Sequence, residues 1–96
     1  MEIQGKEYLQ IGYDADLFNS VYSNESEKLR KTAVDPSPNW ERRKNPEHHI
    51  FHETFIEFSR YIPNQYDTIH FTRDCTAFEL KQAERLLSPN GIILHG

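Results

Sequence analysis

The alternation of apolar and polar positions divides the chain into short strands and short amphipathic helices. "KEYLQI" at residues 6–11 reads as a strand, and Gly12 ends it where a residue without Cβ can turn sharply. In "DADLFNSVY", Leu17, Phe18, Val21 and Tyr22 fall on one helical stripe, with Asp14 placed as N-cap. "LRKTAV" supplies a second strand, which Asp35-Pro36 ends because proline cannot continue a ladder. Pro36, Pro38 and Pro46 then predict a loop over "PSPNWERRKNPE", with Trp40 available to anchor it.

"HHIFHE" reads as a short third strand. From Thr54, "TFIEFSRYI" places Phe55, Phe58, Tyr61 and Ile62 on one helical face ending before Pro63. "YDTIHF" is the fourth strand, and Thr76 with Glu79 forms a capping box opening a helix whose Ala77, Leu80, Ala83 and Leu87 share a face. "SPNG" closes that helix, and "GIILH" is a fifth strand. Strands alternating with helices argue for an α/β domain with a parallel sheet and helices on both faces. No internal repeat or low-complexity segment competes.

At 96 residues the chain fits one domain, and a domain of this size buries only about 60 to 65% of the surface its unfolded chain exposes. Eleven Lys and Arg against fifteen Asp and Glu give a net charge of −4, which disfavours nucleic acid, whose binding needs a clustered basic footprint. The apolar runs fall well short of the roughly 20 residues that span a bilayer. "MEIQGKEYLQ" lacks the features of a secretory signal, and the single Cys75 has no partner for an intramolecular disulfide. The expectation is a cytoplasmic protein with no membrane segment.

Gly12 directly follows a strand and opens a helix, and Asp35 ends the next strand twenty-three positions later. An acidic residue about 20 positions beyond a glycine turn comes to lie beside it, where it can accept hydrogen bonds from a ribose. Only one glycine of the G-x-G-x-x-G pattern is present, so a plain strand-to-helix turn remains the alternative.

The succession "YLQIG", "AVDPSPNW", "HETFIEF", "YDTIHF" and "LLSPNGIILHG" resembles small class I S-adenosylmethionine-dependent methyltransferases over nearly the whole chain. The resemblance rests most on "YDTIHF" followed by a helix, similar to "YDLIHIDG", and on "LLSPNGIILHG", similar to "L-x-P-G-G-x-I-x-x-H-D". It implies a Rossmann-like three-layer sandwich with a five-stranded parallel sheet of order 3-2-1-4-5, lacking the usual strands 6 and 7. It further implies that S-adenosylmethionine binds across the carboxyl ends of the first three strands. Gln10, Gly12, Tyr13 and Asp14 would then lie along the methionine and ribose, Asp35 at the ribose hydroxyls, Glu53 or Thr54 near the adenine, and Thr72 beside the transferring methyl.

The sequence departs from the family in definite places. Gln10 stands where an acid usually meets the methionine ammonium. Thr72, Arg73 and Cys75 replace the acid, glycine and histidine after the fourth strand, and Gly96 replaces the acid after His95. No catalytic residue is assigned, and activity is left open beside a second reading, a non-catalytic methyltransferase-like core that binds protein. "GIIL" would be an apolar strand at the sheet edge, and exposed edges invite partners. A homodimer, another protein chain, or membership of a longer chain would each cover it.

Several other features have plainer explanations. In a strand, His48 and His52 lie about 13 Å apart on one face while His49 points the other way, too spread for ligands about 2 Å from one ion; no metal is expected. Cys75 could serve as a nucleophile with His70 or His95 as base, but a lone cysteine at a helix start is more often a small buried residue. "ERRK" at residues 41–44 reads as a solvated loop. Phe18, Tyr22, Phe55, Phe58 and Tyr61 read as core.

Overall fold

The computed structural model describes residues 1–37, 49–63 and 65–96. Its strands are β1 (Glu2–Ile3), β2 (Glu7–Ile11), β3 (Tyr22–Ser23), β4 (Arg30–Val34), β5 (His49–Phe51), β6 (Tyr66–Phe71) and β7 (Leu87–His95). Its helices are α1 (Ala15–Ser20), α2 (Phe55–Tyr61) and α3 (Ala77–Leu86). Five strands form one parallel sheet in the order β5-β4-β2-β6-β7, and β1 pairs with β3 in a second, two-stranded sheet. Trp40, the basic run 41–44 and His48 lie outside the described residues.

The central strand explains the layering. Tyr8, Leu9, Gln10 and Ile11 are all buried, as expected of a parallel strand covered on both faces. Side chains alternate across a strand, so Leu9 and Ile11 join Val34, Ile69 and Phe71 beneath α2 and α3, where Phe55, Phe58, Ala83 and Leu86 complete one core. Tyr8 joins Ala33 beneath α1, where Ile3, Phe18 and Val21 complete a second. Edge-to-face aromatic pairs tie helices to sheet: Phe55 meets Phe71 at 5.9 Å, and Tyr8 meets Phe18 at 6.0 Å. No helix among the described residues is long and apolar enough to cross a membrane.

The helices depart from expectation at their ends. Asp14 does cap α1, accepting from Leu17 N, but the helix stops at Ser20. Lys31 Nζ donates to the carbonyls of Phe18 (2.7 Å) and Val21 (3.2 Å), satisfying groups that a continued helix would have bonded. Tyr22 leaves the stripe, pairs with Glu2 as β3, and is exposed. Tyr61 is exposed as well, so these two aromatics are not core. Helix α2 opens with a capping box between Thr54 and Glu57.

Helix α3 has the expected Thr76–Glu79 capping box, but its buried residues are Glu79, Ala83 and Leu86. Ala77 is exposed and Leu87 is the C-cap. "SPNG" is no separate loop. Tyr66 pairs with Leu87 and Thr68 with Ile92, so Ser88-Pro89-Asn90 bulges out of a strand that starts where the helix ends. Ser88 Oγ secures the bulge by donating to Asp67 Oδ1 at 2.8 Å.

Candidate functional site

The carboxyl ends of β2, β4 and β6 converge on the turn at Gly12. That glycine has φ +89°, a conformation rarely open to residues with a Cβ. Three successive amides of the turn are hydrogen-bonded: Gly12 N donates to Val34 O (2.9 Å), Tyr13 N to Asp35 Oδ2 (2.8 Å), and Asp14 N to Gln10 Oε1 (2.8 Å). On the side of β6, Thr72 Oγ1 donates to Gly12 O at 2.7 Å and lies 3.1 Å from Ile11 O.

Of the residues singled out in the sequence, Gln10, Gly12, Tyr13, Asp14, Asp35 and Thr72 therefore form one cluster. Asp35 is half-buried, and its second oxygen accepts from Ser37 N at 2.8 Å. Gln10 is fully buried with both ends of its amide engaged, since Nε2 donates to Tyr8 Oη at 3.1 Å. Glu53 and Thr54 follow β5, beyond β4 from the turn, and are bonded locally. Thr54 caps α2, and Glu53 accepts from the Tyr61 hydroxyl. Burial pushes the Glu53 carboxyl up, and the charge of Glu57 adds to the rise.

Next to this cluster, Thr72, Arg73, Asp74, Cys75, His95 and Gly96 line an open cleft of about 620 Å³. Arg73 makes a two-pronged pair with Glu79, Nη2 to Oε2 at 2.8 Å and Nη1 to Oε1 at 3.2 Å. This pair holds the Glu79 carboxyl below its usual value and the guanidinium above its own. Cys75 is half-buried against the α2/α3 core, and the His95 ring stacks on Phe71 at 5.8 Å. His70 is on the other face of the sheet, with its Nε2 against Gly96.

Tyr8 and His70 were missed as contributors to the turn. His70 Nδ1 lies 3.1 Å from Tyr8 Oη, both residues are buried beneath the α1 face, and Tyr8 connects onward to Gln10. Burial lowers the His70 pKa and raises that of Tyr8 to about 12. The available signal was parity. Tyr8 and Gln10 share a face of β2, His70 pairs with Gln10, and three polar side chains on one covered face must find one another. No family model, curated protein or solved structure matches the chain.

Proposed function

We propose that the chain is a Rossmann-like domain of the class I S-adenosylmethionine-dependent methyltransferase type, binding S-adenosylmethionine or S-adenosylhomocysteine over the Gly12 turn. The observation that carries this reading is the Asp35 carboxylate, 2.8 Å from Tyr13 N at the carboxyl ends of adjacent strands, where open α/β sheets take their ligands. A carboxylate offers about four lone-pair sites. Those not used by Tyr13 and Ser37 suit the two hydroxyls of a ribose.

Strand order supports the same reading. The parallel order β5-β4-β2-β6-β7 is compatible with the 3-2-1-4-5 arrangement that the resemblance implies, if the two-stranded β1-β3 sheet is left out of the count. The spent amides of Gly12, Tyr13 and Asp14 argue against a phosphate cradle, which depends on free backbone N–H groups. A nucleoside carrying an amino acid instead of a pyrophosphate fits a turn so committed. When bound, S-adenosylmethionine supplies an electrophilic methyl group. The chain's own part is to hold the ribose at Asp35 and border the methyl with Thr72, while Gln10 acts through the turn and Glu53 or Thr54 flanks the adenine. Catalysis in this arrangement is alignment of an acceptor.

Calorimetric titration with both ligands tests the reading, using wild type and Asp35→Asn, which retains an acceptor but loses the charge. Binding that weakens at least tenfold in the variant supports it; no binding to wild type at millimolar ligand rejects it. The second reading, a protein-interaction module, is favoured by β7, the last strand of the sheet among the described residues, where Ile92 is 48% exposed.

A further inference from the structure

The hydrogen bonds beneath the turn have a fixed direction. Asp14 N can only donate, so Gln10 must present Oε1 to it and Nε2 to Tyr8 Oη. Tyr8 Oη then accepts from Gln10, and its own proton lies toward His70 Nδ1, 3.1 Å away. His70 must therefore be neutral, with its proton on Nε2. A proton on Nδ1 would set two donors against the Tyr8 oxygen and strand the phenolic hydrogen in a buried site. Reversing the Gln10 amide to receive that hydrogen would turn an NH2 group toward Asp14 N, donor against donor.

We propose that His70 is a positioning residue for the Gly12 turn, acting through Tyr8 and Gln10, and that its protonation releases the turn from β2. The groups around the ring agree with a switch that operates on acidification. Tyr8 and Gln10 face it from β2, Asp14 stands at the N-cap of α1, Gly96 lies against its Nε2 and Thr68 is buried on its own strand, while His95, stacked on Phe71 on the opposite face of the sheet, acts on it through charge alone. Burial and His95 oppose the charged form, and Asp14 favours it. Tyr8 remains a protonated phenol, able to donate, across the whole range in which His70 titrates.

Because the folded protein binds this proton less readily than the unfolded chain, stability from the neutral relay is complete above about pH 6.5 and falls as pH drops below it. NMR can follow the relay directly. The His70 ring nitrogens should report the Nε2–H tautomer at neutral pH, and the Asp14 amide should shift on one curve with the His70 ring as it is acidified. In His70→Asn, whose Oδ1 can replace Nδ1 as an acceptor and cannot gain a proton, the Asp14 amide should keep its neutral-pH shift and lose that titration. An Nδ1–H tautomer, or an Asp14 amide that stays still while His70 titrates, overturns the proposal even if the variant fails to fold.

The effect on ligand rests on the turn being the adenosine-cofactor site. S-adenosylhomocysteine affinity should then fall at least tenfold through the same titration in wild type and stay level in His70→Asn. Failure to bind at any pH rejects the cofactor reading alone, because the relay is decided by the NMR titration without ligand.

Discussion

Thr72 Oγ1 lies 2.5 Å from the point a Cβ on Gly12 would occupy, and it donates to the carbonyl of that same glycine. The missing side chain is therefore what lets the end of β6 close against the end of β2. Gly12→Ala meets two obstacles at once, the positive φ and the Thr72 hydroxyl. It should lose about 2 kcal/mol of stability, read as a lower urea midpoint. Adding Thr72→Ala should recover only the part due to collision, since the backbone strain remains. A double mutant as unstable as the sum of the single changes would show that the two residues are not coupled.

Asp67 ties two distant parts of the chain, residues 5–7 and Ser88, to β6. Its Oδ2 accepts from Lys6 N (2.7 Å) and Glu7 N (3.1 Å), its Oδ1 accepts from Ser88, and Gly5 packs against it with φ +92°. Burial alone would push this carboxyl up, but the hydrogen bonds from Lys6, Ser88 and Glu7 outweigh it and hold the group below its ordinary value. A depressed carboxyl stabilises the fold above the unfolded value near pH 4, and that contribution disappears as pH falls through the folded value. Asp67→Asn should cost about 1 to 2 kcal/mol at pH 7. Urea unfolding at pH 7 and pH 3 should show the gap from wild type narrowing in acid; a constant gap would mean that charge plays no part.

The sheet strands were readable because each has its own apolar run bounded by glycine, proline or polar residues, as in "YLQIG" and "YDTIHF". Asp14, Thr76 and Glu79 were readable because capping is a local chemistry with fixed spacing. What escaped depends on contacts distant in sequence. Tyr22 stays out of α1 because Glu2 offers it a ladder, and Lys31, ten positions away, satisfies Val21. "SPNG" belongs to β7 because Ser88 reaches Asp67. The Asp35–Gly12 proximity followed from strand-turn-helix geometry, whereas the Tyr8–His70 link required the register of β2 against β6.

Glu79 has two duties. Oε1 accepts from Thr76 N at 3.0 Å to complete the cap, while both carboxylate oxygens engage Arg73. The Arg73 side chain is 42% exposed, and solvent reduces the value of its ion pair. Arg73→Ala should therefore cost less than about 1 kcal/mol, and Glu79→Ala about 1 to 2 kcal/mol because the cap goes with it. Glu79→Gln, which retains a cap acceptor, should fall between them. Thermal unfolding monitored by circular dichroism will rank the three, and Arg73→Ala emerging as the most damaging would place the main stabilisation in the ion pair.

The outward side of β7, the last strand of the sheet among the described residues, can be assigned from one hydrogen bond. Gly96 N donates to Phe71 O, and backbone groups along a parallel strand alternate between its two sides. Leu94 and Ile92 therefore turn their backbone groups toward β6, while His95 and Ile93 turn theirs outward. Residues 87–95 carry no Lys, Arg, Asp or Glu to repel another strand. If the edge binds a second copy, Ile92→Lys should shift the sedimentation profile toward monomer and leave stability within about 0.5 kcal/mol, since this side chain is already half exposed. His95→Pro should likewise favour monomer by removing an outward N–H, a change that edge strands tolerate, but with a larger loss of stability because the stack of His95 on Phe71 goes with it. A wild-type protein that sediments as a monomer at every concentration would rule out self-pairing, leaving the interaction reading to depend on a different chain.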